Sequence, residues 1–347
     1  MISKIESQAL RGIAILGIVL HNYCHFLGEA VKENEYKFDP SRPAQFWDKL
    51  TSLDSDLFIH IFSFLGHYGV PIFLFISGYG LVKKYEAQST QPATTFIWQH
   101  FVKLFKLMIW GYVLFVAVWF LRHNDGLTVY SWDRVLAQLT MTVNFVYFEP
   151  NQIIKPGPYW YFGLMIQLYI LYILVLHRWR GKALLLGIVM AAAVVQYAMG
   201  LMDDARWLNY VRYNFIGGVL PFCAGIWLSR WERNRTDYGM TTLRNTQILI
   251  ISLVAVLAGS FMLETWLWVP LFIVSGAVAT VKLLPEKINK AFVWVGVISA
   301  ELFVMHPLMR ELVLSHYRRI DVYFGIFIYL LASIALAAIY HELRTSK

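Results

Sequence analysis

The stretch "RGIAILGIVLHNYCHF", from Arg11 to Phe26, decides how the chain folds. It is long and apolar enough to be a membrane helix, since about 20 mostly apolar residues cross a hydrocarbon core of about 30 Å. It nevertheless carries Arg11, His21 and His25. Ionisable groups inside a membrane are costly and usually face the protein interior or a water-filled cavity. This first helix is therefore a candidate for function as well as for spanning the membrane.

Composition extends this prediction to the whole chain. Of 347 residues, 58% are hydrophobic and 15% are charged, whereas ordinary globular domains have about 45–50% and about 25%. The mean hydropathy is +0.52. We predict an all-α, polytopic transmembrane helical bundle in which residues 1–347 form a single domain without a separate soluble domain. The predicted spans, about ten, are residues 9–28, 57–81, 96–121, 158–177, 183–202, 211–229, 246–262, 265–282, 291–309 and 321–341.

The basic residues predict the orientation. With the N-terminus inside, more than half of the 30 lysines and arginines fall in cytoplasmic segments, as the positive-inside rule requires. An even number of spans places both termini in the cytoplasm, and we expect a multi-pass membrane protein. The first span lacks a cleavage site and is predicted to stay uncleaved. The net charge of +8 is thereby explained without nucleic acid, for which a basic patch interleaved with aromatic residues is missing.

The cysteines and the long outer loops carry weaker signals. Cys24 and Cys223 both lie in apolar segments, so we predict neither a disulfide nor a metal site. The outer loop 29–56 is polar and acidic. In the outer loop 122–157, the stretch "WDRVLAQLTMTVNFVYF" has apolar residues at helical spacing and predicts an interfacial amphipathic helix.

The polar residues of the first span share one side of the helix. At 100° per residue, His21 and His25 lie about 40° apart, and Arg11 lies about 80° from His21. Arg11 is equally well explained as an anchor at the cytoplasmic interface. Each histidine is alternatively a hydrogen-bonding group between helices.

Three later spans contribute further candidates. In "GHYGVPIFLFISGYGL", residues 66–81, the glycines and proline predict a kink or a local unwinding of the helix next to His67. Ser77 and Gly78 form either a packing notch or part of a ligand site. Glu301 and His306 lie in the ninth predicted span, where the carboxylate requires a cation or a proton. The fourth span begins with Trp160 and Tyr161 and continues to Gln167; aromatic residues at that depth are also typical interface anchors.

Five of these motifs, taken in order, resemble the acyltransferase 3 family of bacterial integral-membrane O-acyltransferases. They are "LRGIAILGIVLH", "VPIFLFISGYGL", "PYWYF", "LPFCAGIWL" and "VGVISAELFVMHP", and they extend over most of the chain. In this family an arginine of the first helix is followed, after ten intervening residues, by a catalytic histidine. Here nine residues separate Arg11 from His21, and the family position is Asn22. His21 is the first candidate and His25 the second.

The resemblance implies that an acyl group moves from a cytoplasmic acyl-CoA to a hydroxyl of a carbohydrate or another envelope acceptor. Acetyl-CoA is the donor typical of the family, and no metal is expected. A histidine suits either general-base catalysis or a covalent acyl intermediate, so the catalytic candidates are His21 and His25, with Glu301 orienting the imidazole. The candidates for donor binding are Arg11, Ser77, Gly78, Lys103 and Lys106. The candidates for acceptor binding are His67, Trp160, Tyr161, Gln167 and His306.

Two other classes of function remain open at this point. A proton-coupled transporter or flippase would use His21, Glu301 and His306 as a proton relay. A receptor or scaffold would have no need for costly charges inside the membrane. The sequence does not specify the acceptor, and it leaves the oligomeric state open.

Overall fold

The computed structural model describes residues 2–28, 30–53, 55–87, 91–233, 241–317 and 321–346. Every regular element in these ranges is helical, in agreement with the all-α prediction. The α-helices are α1 (Lys4–Cys24), α2 (Ser41–Ser52), α3 (Leu57–Leu65), α4 (Gly69–Tyr85), α5 (Ala93–Arg122), α6 (Gly126–Val129), α7 (Trp132–Leu139), α8 (Val143–Val146), α9 (Pro150–Ile153), α10 (Trp160–Leu171), α11 (Lys182–Gly200), α12 (Arg206–Tyr213), α13 (Phe215–Arg233), α14 (Thr242–Gly259), α15 (Leu263–Trp266), α16 (Val269–Leu283), α17 (Glu286–Val297), α18 (Ser299–Tyr317) and α19 (Val322–Thr345).

Six helical stretches of the described chain are long and apolar enough to cross a membrane, and the chain is polytopic. The pairs α12–α13 and α17–α18, bent by 42° and 72°, raise the number to eight if each pair is one span. The remaining long helices are α1, with 21 residues, and α16, with 15 residues. A total of ten spans requires both of them to cross as well, so the number ten stays a prediction.

The first helix lies in the interior of the bundle. Its N-terminus is capped by Ser3 and Glu6, whose side chains each bond the other residue's backbone N–H, which satisfies two otherwise free donors. Ile15, Val19 and Tyr23 are fully buried. Because α1 is enclosed by protein rather than lipid, its polar side chains can find protein partners, which lowers the cost of holding them in a membrane.

The second span is locally unwound at the predicted place. A short 3-10 turn at Gly66–Tyr68 separates α3 from α4. A methyl group at Gly66 would overlap the backbone oxygen of Gly17 and lie 2.8 Å from Cβ of His21. The absent side chain therefore lets this turn approach α1 closely, and the turn brings His67 beside His21.

The two ends of the bundle can be distinguished by their contacts. At one end the backbone N–H of Ile2 donates to Glu232 at 3.1 Å, Tyr79 donates to the same carboxylate at 2.6 Å, and Lys282 pairs with Glu6 at 2.9 Å. We call this end the N-terminal face. His21, His25 and His67 lie toward the opposite end, which we call the histidine face.

The loops of the histidine face differ from the sequence prediction. The amphipathic stretch forms two short helices, α7 and α8, because Met141 between them has a positive φ of 58° that interrupts the helix. Part of the polar, acidic outer loop is buried, since Asn34, Glu35 and Tyr36 are at most 5% exposed. We call residues 30–39 the inserted segment, because it is packed into the bundle.

The close contact between Gly66 and α1 predicts that a single methyl group added at Gly66 destabilises the protein. We expect Gly66→Ala to lower the free energy of unfolding by about 1–3 kcal/mol, since overpacking forces the neighbours apart. The measurement is the thermal midpoint of the purified protein in detergent. Gly80→Ala on the exposed side of α4 is the matched control, because nothing lies within 4 Å of the added carbon. An equal loss in both variants would contradict the importance of this contact.

Candidate active site

Three histidines from two elements form a cluster at the histidine face. The ring of His21 lies 5.1 Å from that of His25 and 4.7 Å from that of His67, measured between centroids. His21 Nδ1 donates a hydrogen bond to the carbonyl oxygen of Ser63 at 2.9 Å. Because a carbonyl oxygen only accepts, the proton is on Nδ1, and a neutral His21 carries its lone pair on Nε2. This is the form that can accept a proton from a hydroxyl.

Two carboxylates from the inserted segment contact the other two histidines. His25 Nδ1 lies 2.7 Å from Glu33 Oε2, and His67 Nδ1 lies 2.6 Å from Glu35 Oε2. A carboxylate on Nδ1 fixes the orientation of an imidazole and stabilises its protonated form. The cluster therefore consists of His21 between two histidine–glutamate pairs.

Neither glutamate was predicted from the sequence. The acidic character of the loop was the only available signal, and it suggested a solvated surface. The pairing depends on how the segment returns into the bundle, which no local pattern specifies.

The electrostatics of Glu33 are governed by the histidines. Burial alone would raise the pKa of the Glu33 carboxyl. The hydrogen bond from His25 and the positive charges that His25, His21 and His67 carry when protonated act in the opposite direction and lower this pKa well below its usual range. The neighbouring histidines therefore favour the charged carboxylate form of Glu33.

The inserted segment is held in place by groups from distant helices. The buried guanidinium of Arg212 donates from Nε to the backbone oxygen of Glu35 at 2.9 Å, and it lies 4.5 Å above the ring of Trp266. The indole N–H of Trp266 donates to the backbone oxygen of Asn34. These contacts satisfy the backbone of the segment and fix its two carboxylates.

A separate cavity of about 150 Å³ lies between this cluster and the N-terminal face. Arg11, Lys103 and His100 contribute polar groups to it, whereas Ile18 and Phe303 contribute apolar ones. From Arg11 to Ile18 the first helix rises about 10 Å. The cavity therefore extends from basic side chains to a point one helical turn before His21. Its other lining residues are Phe73, Ser77, Leu104, Leu107, Tyr161, Phe162, Met165, Tyr169, Ser299 and Ala300.

Comparison with protein families completes this description. A model of an acyltransferase domain matches residues 5–342, nearly the entire chain. The chain belongs to the acyltransferase 3 family. No curated protein and no solved structure matched the chain. With its apolar helices, it is a membrane acyltransferase.

The departure of this acyltransferase from the family spacing has a structural counterpart. Asn22, at the family position of the histidine, donates from Nδ2 to the backbone oxygen of Ile18 at 2.9 Å. Its Oδ1 accepts from Arg310 at 3.1 Å. Asn22 therefore bonds to α18, while His21, one residue earlier, lies beside His67.

Glu301 is bonded to residues of α19 in the acyltransferase and does not orient the imidazole of His21, contrary to the prediction. The fully buried carboxylate accepts from Arg344 Nε at 2.9 Å and lies 3.2 Å from His341 Nδ1. Along α18, Glu301 lies about 14 Å before Arg310, the residue that bonds to Asn22. Glu301 therefore lies nearer to the N-terminal face than Arg310 does. Its contacts with Arg344 and His341 attach α19 to α18.

The predicted donor-binding residues separate into two groups. Arg11, Ser77 and Lys103 line the cavity. A side chain at Gly78 would instead overlap the backbone oxygen of Phe222, so this glycine serves helix packing. Lys106 is exposed and is not among the residues that line the cavity.

The predicted acceptor-binding residues are also dispersed. His67 is part of the cluster, but Trp160 is only 2% exposed and packs against Tyr36, with ring centroids 5.2 Å apart. Tyr161 lines the cavity. Gln167 joins the backbone N–H of Phe215 at 2.9 Å to the side chain of Asn214 at 2.8 Å, which stabilises the bend between α12 and α13.

His306 lies on α18, four residues before Arg310. It is fully buried, and its Nδ1 donates to the backbone oxygen of Leu302 at 3.1 Å. Within the described part of the chain, its Nε2 has no hydrogen-bond partner. Its ring lies 5.9 Å from that of the cavity residue Phe303.

The cluster also contains a possible cation-binding arrangement. The ligand atoms of His21, His25 and Glu33 all lie within 4.8 Å of one another. His25 Nδ1 and Glu33 Oε2 lie 2.7 Å apart, at ion-pair distance, and the absence of a metal requirement stays a prediction. Cys24 and Cys223 are buried thiols that form no disulfide, as expected.

The role of Arg212 leads to a test of the inserted segment. We expect Arg212→Gln to weaken its attachment by about 1.5–3 kcal/mol, the usual contribution of a hydrogen bond to a charged group. Trypsin should then cleave faster after Lys32 and Lys37, and mass spectrometry of the fragments measures the rates. Arg206→Gln is the control, since Arg206 lies on the same helix but pairs only with the exposed Asp204. Unchanged cleavage in Arg212→Gln would show that other contacts hold the segment.

Proposed function

We propose that this acyltransferase moves an acyl group from an acyl-CoA bound at the N-terminal face to a hydroxyl group bound at the histidine face. The observation that carries the proposal is the cavity that begins at Arg11 and Lys103 and ends one helical turn from His21. This arrangement provides cations for phosphates, an apolar passage for a neutral thioester arm and a base at its end.

On the donor side, the phosphates of CoA would be bound by Arg11 and Lys103. Arg11 forms no ion pair within the described part of the chain, so its charge is available to an anion. Ser77 and Tyr161 supply hydroxyl groups along the passage. Lys106 is exposed on the same helix as Lys103 and would add to the local positive potential.

At the reacting centre, His21 is the histidine of α1 nearest to the cavity. It follows Ile18 by three residues, a rise of about 4.5 Å, whereas His25 follows by about 10 Å. In the proposed step, Nε2 of His21 takes the proton of the acceptor hydroxyl while that oxygen attacks the thioester carbonyl. The C–S bond then breaks, and the leaving thiolate receives the proton from the imidazolium.

The two histidine–glutamate pairs would assist this step from the histidine face. Whenever they carry a second proton, His25 and His67 would bring positive charge to the oxyanion that forms during attack. His306 offers its free Nε2 as a second acceptor for a hydroxyl of the incoming molecule. Trp160 would contribute indirectly, by packing against Tyr36 of the inserted segment.

The finer assignments follow from the family and from the predicted orientation. We propose acetyl-CoA as donor, an envelope glycan as acceptor and the bacterial cytoplasmic membrane as location, with the N-terminal face in the cytoplasm. The proton-relay alternative finds less support, because it requires Glu301 to exchange protons with His21, and Glu301 is bound to Arg344 and His341.

The role of His21 is tested by substitution. We expect His21→Ala to reduce acyl transfer by roughly 10²–10⁴-fold, the usual contribution of a general base, while the protein still inserts into membranes. Membranes that contain the protein are incubated with labelled acetyl-CoA, and label is counted in the glycan and lipid fractions. His123→Gln is the control, because this histidine pairs with Glu311 outside the cluster. Normal transfer by His21→Ala together with loss in His25→Ala would assign the base to the next turn of α1.

A further measurement separates the direct and covalent routes. In the direct route, the donor and the acceptor must be bound together, and no label stays on the protein when the acceptor is omitted. A covalent acyl-imidazole would give ping-pong kinetics and a protein mass increased by one acyl group. We expect the direct route, and detection of the acylated protein would overturn it.

A further inference from the structure

A second basic pocket lies at the N-terminal face, outside the proposed donor passage. It has a volume of about 320 Å³ and lies between the start of α11 and the end of α13. Its lining residues are Arg180, Lys182, Leu185, Trp227, Arg230, Trp231 and Arg233. Among the residues that the structure describes, this lining contains four cationic groups and no carboxylate.

The charge of this pocket is only partly neutralised. Arg230 donates to the buried carboxylate of Glu86 at 2.6 Å, and Arg180 and Arg233 lie 4.0 and 3.7 Å from the other oxygen of the same carboxylate. The single carboxylate of Glu86 is therefore close to three guanidinium groups. Lys182 forms no ion pair within the described residues, and Arg233 is 47% exposed. The pocket thus retains positive charge for an external anion.

An apolar groove adjoins this pocket. It has a volume of about 210 Å³, lies between α13, α14 and α16, and includes Trp227, which also lines the basic pocket. Along α16 it extends from Leu271 to Ala279, about 12 Å. Ala224, Trp227, Leu228 and Trp231 follow one another at helical spacing on the same side of α13. The basic pocket and the groove are therefore two parts of one surface.

The surface of α14 beside the groove has the character of a lipid-facing helix. Ile250, Ile251, Leu253 and Val254 are each at least 55% exposed, although they are apolar. A ligand in the groove would accordingly enter from the bilayer. The two tryptophans, whose rings lie 6.2 Å apart, are at the depth where the apolar groove meets the charged pocket, a position that tryptophan favours at membrane interfaces.

We propose that this surface binds one anionic glycerophospholipid of the leaflet at the N-terminal face. Its phosphate-containing headgroup would lie in the basic pocket, and an acyl chain would lie in the groove on the other side of Trp227. Basic pockets between membrane helices bind anionic headgroups in this way. The inference is independent of the proposed function, because no residue of this surface lines the cavity next to His21.

The test compares phosphatidylglycerol with phosphatidylcholine. Native mass spectrometry of the detergent-solubilised protein, titrated with each lipid, gives the dissociation constant of the first bound molecule. We expect phosphatidylglycerol to bind more tightly. Lys182→Gln with Arg233→Gln should weaken its binding by roughly tenfold or more, because one basic group near an anionic headgroup contributes on the order of fivefold. The matched control is the double variant Lys287→Gln and Lys290→Gln, which removes the same charge from α17. It should leave the dissociation constant for phosphatidylglycerol unchanged.

A second variant examines the groove. Val278→Phe narrows the groove without altering charge, and it should weaken the binding of both lipids at this site. Equal thermal midpoints in lipid-free detergent establish that the variants are folded. If the double variant does not fold, Lys182→Gln alone gives the headgroup result, since this side chain is exposed.

Three results would overturn the proposal. Unchanged lipid preference in the pocket variant would exclude the headgroup site, and an equal loss in the α17 control would indicate a general charge effect. Displacement of phosphatidylglycerol by inorganic phosphate or by CoA at micromolar concentration, with no effect of Val278→Phe, would identify a soluble phosphate ligand. Support requires that both the pocket variant and the groove variant weaken binding.

Discussion

The close approach of α1 to the turn between α3 and α4 is the constraint on which the site depends. Gly17 and Gly66 face each other where the two backbones meet, and no other residue type fits this separation at Gly66. The approach places the ring centroids of His67 and His21 4.7 Å apart. It also brings the carbonyl oxygen of Ser63 within 2.9 Å of His21 Nδ1. The tautomer of His21 is therefore determined by a packing contact between two helices.

The same contact explains why the inserted segment is needed. Histidines so close together would repel one another when protonated, and the two carboxylates of the segment compensate for this. Arg212 and Trp266 fix the segment from α12 and α15, far along the chain. The site thus depends on residues that are far apart in the sequence, and it forms only when the bundle is assembled.

Hydropathy and motif order were sufficient to predict the all-α membrane bundle and the family, and the glycines and proline of the second span were sufficient to predict its local unwinding at Gly66. Because ionisable side chains are costly in a membrane, the sequence also identified four candidate functional residues, Arg11, His21, His25 and Glu301. The partners of these groups could not be predicted, because they depend on which helices are neighbours. Glu301 binds Arg344 from the far end of the chain, and the carboxylates of the cluster come from a loop whose acidity is typical of solvent exposure.

The aliphatic part of α1 between Arg11 and His21 has an electrical consequence. Ala14, Ile15 and Val19 are almost completely buried, so this part of the helix is a low-dielectric layer between the basic cavity and the histidines. A full charge that crosses a membrane potential of 100 mV gains or loses about 2.3 kcal/mol. In the proposed reaction the CoA phosphates stay on one side of this layer, and only a neutral thioester arm enters it. Acyl transfer would then proceed without net charge movement, because the acyl group that leaves CoA is replaced by one hydrogen on its thiol, and its rate would be independent of the membrane voltage.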